Sequence, residues 1–214
     1  KKLEIHVEGV EKEVVYNGKE QKLGNNLQFT VVTELPEGLT VKQDVKVVQD
    51  AKGTNVGTYP QNNLTADNLF LDGEGADNYA ATIIVDKKGF LKINPRPVVV
   101  TIGNNSKIYG DPDPDPLATV TVEVQKQEGE SASDVPAAPN FAHKVMRSNA
   151  GVEDAGTYPD VLVLRKADGT EETEADLNRA NPNYTFTIER GDFTIKAKKL
   201  EIHVEGVEKE VVYN

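Results

Sequence analysis

Residues 1–17 read KKLEIHVEGVEKEVVYN, and the same seventeen residues return unchanged at 198–214. Within them Leu3, Ile5 and Val7 alternate with Glu4, His6 and Glu8, the period of two that sends successive side chains to opposite faces of a strand. The stretch therefore predicts a half-buried strand, and its return predicts an internal repeat. The copies begin at Lys1 and Lys198, 197 residues apart, so the sequence reads as one whole repeat unit followed by the opening of the next. Identity over this length implies a recent duplication within a longer array.

A fainter repeat lies inside the unit. Gly57-Thr58-Tyr59-Pro60 returns as Gly156-Thr157-Tyr158-Pro159, and Asn78-Tyr79 followed by AATI returns as Asn183-Tyr184 followed by TFTI. KGFLKI at 88–93 has its counterpart in RGDFTI at 190–195. Both halves open with an alternating strand, a polar turn and a lone tyrosine: Leu3, Ile5 and Val7 before Tyr16, and Val98, Val100 and Ile102 before Tyr109. The expected organisation is two related modules, 1–95 and 96–197, each of ordinary domain size, with 198–214 as the first strand and turn of a further repeat.

Alternation also marks 27–32, 45–48, 79–85, 97–102, 118–124, 161–164 and 184–189 as strands. Valine, isoleucine and threonine dominate these runs, and β-branched side chains suit a pleated surface. With aromatic residues at 6% and no tryptophan, the cores are expected to be small and aliphatic. Turn residues punctuate the strands at Asn17-Gly18, Pro36-Glu37-Gly38, Asp72-Gly73 and the proline-rich run 110–116. A short helix is expected at 172–180, ended by Asn181-Pro182, and a loop at 128–142. The fold class expected is all-β: two tandem β-sandwich-like modules in an elongated arrangement, with β-grasp-like modules carrying one short helix as the alternative. Asn94-Pro95-Arg96-Pro97 joins the halves, and two prolines in four residues favour an extended, stiff path, which predicts a semi-rigid rod.

The order of opening strand, IYGDPDP turn at 108–114, GTYP strand, NY strand and final G-x-[LF]-x-I strand resembles the "mostly beta, glycine-rich" (MBG) modules of bacterial surface proteins. The second half carries the resemblance more fully. The first has VYNGKEQ at 15–21 where the family shows a tyrosine, glycine and aspartate turn. The resemblance implies a tandem extracellular module of a bacterial cell-surface adhesin, anchored to the cell wall through segments outside these residues. It brings no catalytic residue. On that footing the expected role is a non-enzymatic stalk or spacer. The rival reading is a module that binds host glycan, mucin or matrix protein weakly and gains avidity from copy number. Neighbouring repeats of the same chain are the other expected partner.

A net charge of −11 repels phosphate backbones and anionic head groups, which argues against nucleic acid and membrane-surface partners. No apolar stretch is long enough to span a bilayer, so no membrane insertion is expected of these residues. The absence of cysteine excludes disulfides and thiolate metal sites. His6 and His203 are copies on the polar face of a strand, where solvated histidine is ordinary, and His143 lies in a loop without a motif around it. No catalytic residue and no cofactor are expected. The one candidate metal set is Asp111, Asp113 and Asp115, alternating as at the start of a calcium loop, though prolines interleave them and the closing glutamate is missing. Residues 72–77 read as a surface loop. Tyr16, Tyr59, Tyr79, Tyr109, Tyr158 and Tyr184 recur at matching points, which predicts aromatic bodies in the cores with hydroxyls on backbone partners, or ligand stacking as the lesser reading. Asn17, Asn78 and Asn183 border strands, where a Lys–Asn cross-link could form. Leu200, Ile202 and Val204 are expected to order 198–214 by pairing with an exposed strand edge of this molecule or a neighbour.

Overall fold

The computed structural model describes residues 1–140 and 144–213, so His143 lies outside the described residues. Strands make up 42% of the chain and helix 8%, which makes it all-β, as the alternation predicts. It divides into two compact units. Lys1–Val100, Val122–Phe141 and Thr173–Ile188 form the first. Thr101–Thr121, Ala142–Glu172 and Glu189–Asn214 form the second.

The first half of the sequence carries β1 (Lys2–Gly9), β2 (Glu11–Val15), β3 (Gln21–Lys22), β4 (Phe29–Val31), β5 (Leu39–Gln43), β6 (Lys52–Gly53), β7 (Gly57–Pro60), β8 (Leu69–Gly73), β9 (Ala80–Lys87) and β10 (Phe90–Asn94). The second carries β11 (Arg96–Ile102), β12 (Asn105–Ile108), β13 (Val120–Val124), β14 (Val145–Arg147), β15 (Gly156–Leu164), α1 (Glu174–Ala180), β16 (Tyr184–Glu189) and β17 (Gly191–Lys196). Helix α1 starts where Thr173 caps the Asp176 N–H and the Asp176 side chain returns the bond, a capping box. It stops at Asn181, before Pro182.

The two halves repeat one topology. Sheet β4-β1-β9 corresponds to β13-β11-β16, and β2-β10-β7 corresponds to β12-β17-β15, which adds β14 at its far edge. The register repeats residue for residue: Ile93 faces Gly57 and Leu91 faces Tyr59, just as Ile195 faces Gly156 and Phe193 faces Tyr158. The parallel partners repeat as well, with Val14 opposite Ile93 and Lys107 opposite Ile195. At the corner where β1 passes to β2 beside the turn from β9 to β10, a Cβ on Gly9 would sit 1.9 Å from the Gly89 nitrogen. At the matching corner a Cβ on Gly191 would sit 2.5 Å from the Gly103 carbonyl oxygen. Two backbones cross closely there, and only glycine allows it.

Alternation decides what each sheet buries. Ile5 and Val7 of β1 pack with Leu27, Leu64 and Leu69, flanked by Val41, Leu71 and Ile83, so the β1 sheet and the antiparallel β5-β8 pair share one aliphatic core. Leu23, Ala51, Leu91 and Ile93 form a second cluster with Val14, Tyr16 and Tyr59 around it.

One expectation is corrected, and another is not met within this molecule. Residues 45–48 form no strand, because Asp44 turns the chain: its carboxylate accepts the Lys46 N–H at 2.9 Å and its carbonyl accepts the Val47 N–H at 3.0 Å. Val45 and Val48 are left exposed, and the strand lies just upstream as β5. Residues 200–213 form no strand within this molecule and are exposed throughout, although their copies at 3–16 supply β2 and all but the first residue of β1. The difference is partners. β1 lies between β4 and β9 and β2 lies against β10, and among the described residues no strand pairs with 200–213.

Candidate functional site: a buried arginine junction

The passage from the first half of the sequence to the second runs through Arg96, whose side chain is 1% exposed although it stands between two prolines. Its Nε–H donates to the Tyr16 carbonyl at 2.8 Å, and Nη1 donates to the Gln125 carbonyl at 3.1 Å. The fork closes on Glu130, with Nη1 to Oε2 at 2.8 Å and Nη2 to Oε1 at 2.6 Å. This planar two-bond match is what guanidinium offers and ammonium does not. Glu130 also accepts the Gln127 N–H at 3.0 Å. The Arg96 guanidinium first, and that backbone bond second, hold its carboxyl down at about 2 from an ordinary 4.5.

Other groups of the first compact unit close around the same point. The Arg96 N–H donates to the Asn183 carbonyl at 3.0 Å, and the Asn183 side chain accepts the Val56 N–H at 2.9 Å while donating to Asn55 at 3.0 Å. The Tyr16 ring meets Tyr184 edge-on at 5.4 Å, and the Tyr184 hydroxyl, its pKa raised by burial, donates to the Ala137 carbonyl at 2.9 Å. Lys19 reaches Asp134 at 3.3 Å. Residues from both halves of the sequence thus interlock around one guanidinium. Asn183 is engaged here in hydrogen bonds, and Asn17 accepts the Lys19 N–H at 2.9 Å.

The second unit holds its own charged cluster. Lys107 occupies the register position that Val14 fills in the first half, yet it is buried, with its ammonium bonded to Asp113 at 2.8 Å and to Glu153. Arg147 shares both acids, 3.2 Å from Asp113 and 2.7 Å from Glu153, donates to the Ala150 and Val152 carbonyls, and lies 4.8 Å from the Phe193 ring centroid. Asp113, then Glu153, raise the Lys107 pKa, and Lys107 is the foremost cause that lowers Glu153. An ammonium held protonated is no nucleophile, so the contact is an ion pair. Of the three aspartates singled out for calcium, Asp113 thus turns to cationic side chains, and Asp111 and Asp115 are exposed. Among the described residues no three His, Asp or Glu side chains converge as metal ligands.

His6 bridges two carboxylates, Nδ1 at 3.0 Å from Asp86 and Nε2 at 3.1 Å from Glu4. Asp86 and then Glu4 raise its pKa above 6.5. The pairing therefore adds stability below pH 6.5 and loses it as pH rises through the higher folded value. The paired tyrosines repeat in detail: the Tyr59 hydroxyl donates to the Asn55 carbonyl at 2.8 Å, and that of Tyr158 to the Asp154 carbonyl at 2.7 Å. Tyr59 lies over Gly53, where a Cβ would sit 2.0 Å from the ring. Tyr109 is half exposed. Tyr79 lines a solvent-exposed groove of about 570 Å³ between β8 and β9, with Leu69, Phe70, Leu71, Ala81 and Ile83.

No family model, curated protein or solved structure matches this chain.

Proposed function

We propose that the chain is a repeat unit of a bacterial surface adhesin, serving as a non-enzymatic spacer made of two MBG-like modules, 1–95 and 96–197, with 198–214 opening a third. The observation that carries the reading is duplication at two scales: an unchanged seventeen-residue stretch 197 residues apart, and one strand register used twice within the unit. Repetition adds length at nearly additive stability, and a spacer needs that more than it needs a single pocket. The Arg96 junction supports the reading, since a load passed from one half to the other crosses the Arg96–Tyr16 and Val56–Asn183 hydrogen bonds and the Lys19–Asp134 ion pair instead of a bare linker. On this reading the protein works outside the cell, attached to the wall through segments beyond these residues.

The test compares concatemers of one to four 197-residue units. Calorimetric unfolding enthalpy is expected to rise in proportion to unit number, with no binding to arrayed host glycans or mucin at any copy number. Binding that climbs steeply with copy number would replace the spacer reading with a multivalent binding module, for which the Tyr79 and Phe70 groove is the place to look.

A further inference from the structure

Among the described residues β9 pairs with β1 along one edge and with no strand along the other. The Ala80 N–H donates to the Lys1 carbonyl at 2.8 Å, and successive residues of a strand aim their backbone groups at opposite edges. Thr82 and Ile84 therefore face β1 as Ala80 does, while Ala81 and Ile83 hold out N–H and C=O groups that no described strand meets. This open stretch has two ends. At Tyr79 the N–H is taken by the Ala76 carbonyl, and after Val85 the register with β1 shifts. Ala80, Ala81 and Thr82 are exposed between those ends, beside a groove in which Phe70 is 45% exposed. An uncovered edge of this kind is a template for one more strand.

We propose that the free edge of β9 binds the same edge of a second copy of the chain, antiparallel about a two-fold axis through Thr82, the midpoint of 79–85. In that register Ala81 stands opposite Ile83 of the second copy and Ile83 opposite its Ala81, and each of these pairs exchanges both backbone hydrogen bonds. Thr82 meets its own counterpart as a pair without backbone bonds, where side chains come closest, and facing threonines are a favourable pair. The pairing joins neighbouring copies side by side and does not depend on the spacer reading.

Faces and charges both select the antiparallel direction. A two-fold axis normal to the sheet keeps each face on its own side. Tyr79, Ala81, Ile83 and Val85 of one copy then adjoin the same residues of the other, on the face that packs toward Leu69 and Leu71. Parallel pairing through this edge would turn one copy over and set that apolar face level with the one that carries Lys2, Glu4, Ala80 and Thr82. Glu74 and Asp77 lie before the start of β9, and Lys87 and Lys88 at its far end. The antiparallel direction brings these acids toward these lysines, and the parallel one sets like against like. Lys87 also holds Glu11, and Asp86 beside it is held by His6, so the basic end keeps its excess of positive charge. Because each copy uses one and the same edge, the contact is isologous and closes at a dimer.

The test uses the full chain. In sedimentation equilibrium the average mass is expected to rise with concentration from the 23.4 kDa monomer toward twice that value and no further. Thr82→Lys sets like charges directly opposite each other at an exposed position, and should weaken the dimer at least about 10-fold. The chain has no cysteine, so Thr82→Cys under mild oxidation should trap a disulfide-linked dimer, the close unbonded pair being within disulfide reach. Ala80→Cys, placed opposite Ile84 of the second copy, should remain unlinked under the same conditions. A wild type that stays monomeric would overturn the proposal. So would association that survives Thr82→Lys, that continues past the dimer, or that links Ala80→Cys as readily as Thr82→Cys.

Discussion

A guanidinium held away from water stays stable only while its partners remain charged and aligned, so Arg96 and Glu130 act as one group. Replacing Arg96 by alanine leaves Glu130 and the carbonyls of Tyr16 and Gln125 without their donor, and should cost about 3–5 kcal/mol in urea unfolding, the range for breaking a buried pair from one side. Glu130→Gln should cost less. Its penalty also carries a pH signature: the folded carboxyl sits at about 2 against 4.5 in the unfolded chain, so its stabilisation is complete above pH 4.5 and drains away as pH falls toward 2. The wild-type and Glu130→Gln stability curves should therefore converge through that window. Neither residue was visible to pattern reading. A lone arginine between two prolines has no periodicity, and its partner sits in the stretch 128–142, which reads only as a loop. Lys107 escaped for a similar reason, since a lysine in an alternating strand reads as outward-facing until a cluster of acids is found to receive it.

At the scale of the element, close backbone crossings do what side chains do elsewhere. A Cβ at Gly89 would lie 2.2 Å from the Val10 carbonyl oxygen, a backbone contact that cannot swing aside, whereas a Cβ at Gly151 meets nothing within 4 Å. Gly89→Ala is expected to lower the thermal midpoint by an amount equivalent to about 2–3 kcal/mol, and Gly151→Ala to stay within about 0.5 kcal/mol. Calorimetry of the two variants checks both. Strands whose alternation faces a core, such as β1, β9, β11 and β16, were legible in advance, as were the GTYP strands β7 and β15 and helix α1 between its cap and its proline. Short strands were not. Among the described residues β5 and β8 pair only with each other, and the apparent alternation at 45–48 yields to the Asp44 turn beside it, because three or four residues of pattern weigh less than a local hydrogen bond.

For the whole molecule, the described part of 198–214 contributes charge and exposed apolar surface but no strand and no core contact. Removing residues 198–214 is expected to leave the thermal midpoint of a dilute sample within about 1 °C of the intact chain, measured by scanning calorimetry. The same stretch at 1–17 supplies Ile5 and Val7 to a core. One sequence thus occupies two environments in one molecule, braced on both sides as β1 and solvated as 200–206. A proteolytic fragment cut from inside it, such as LEIHVEGVEK, issues from both places with a single mass. Any signal read from that fragment is then a superposition of a sheltered population and a bare one in equal amounts, a built-in calibrant against which the shelter of β1 can be gauged without a second sample.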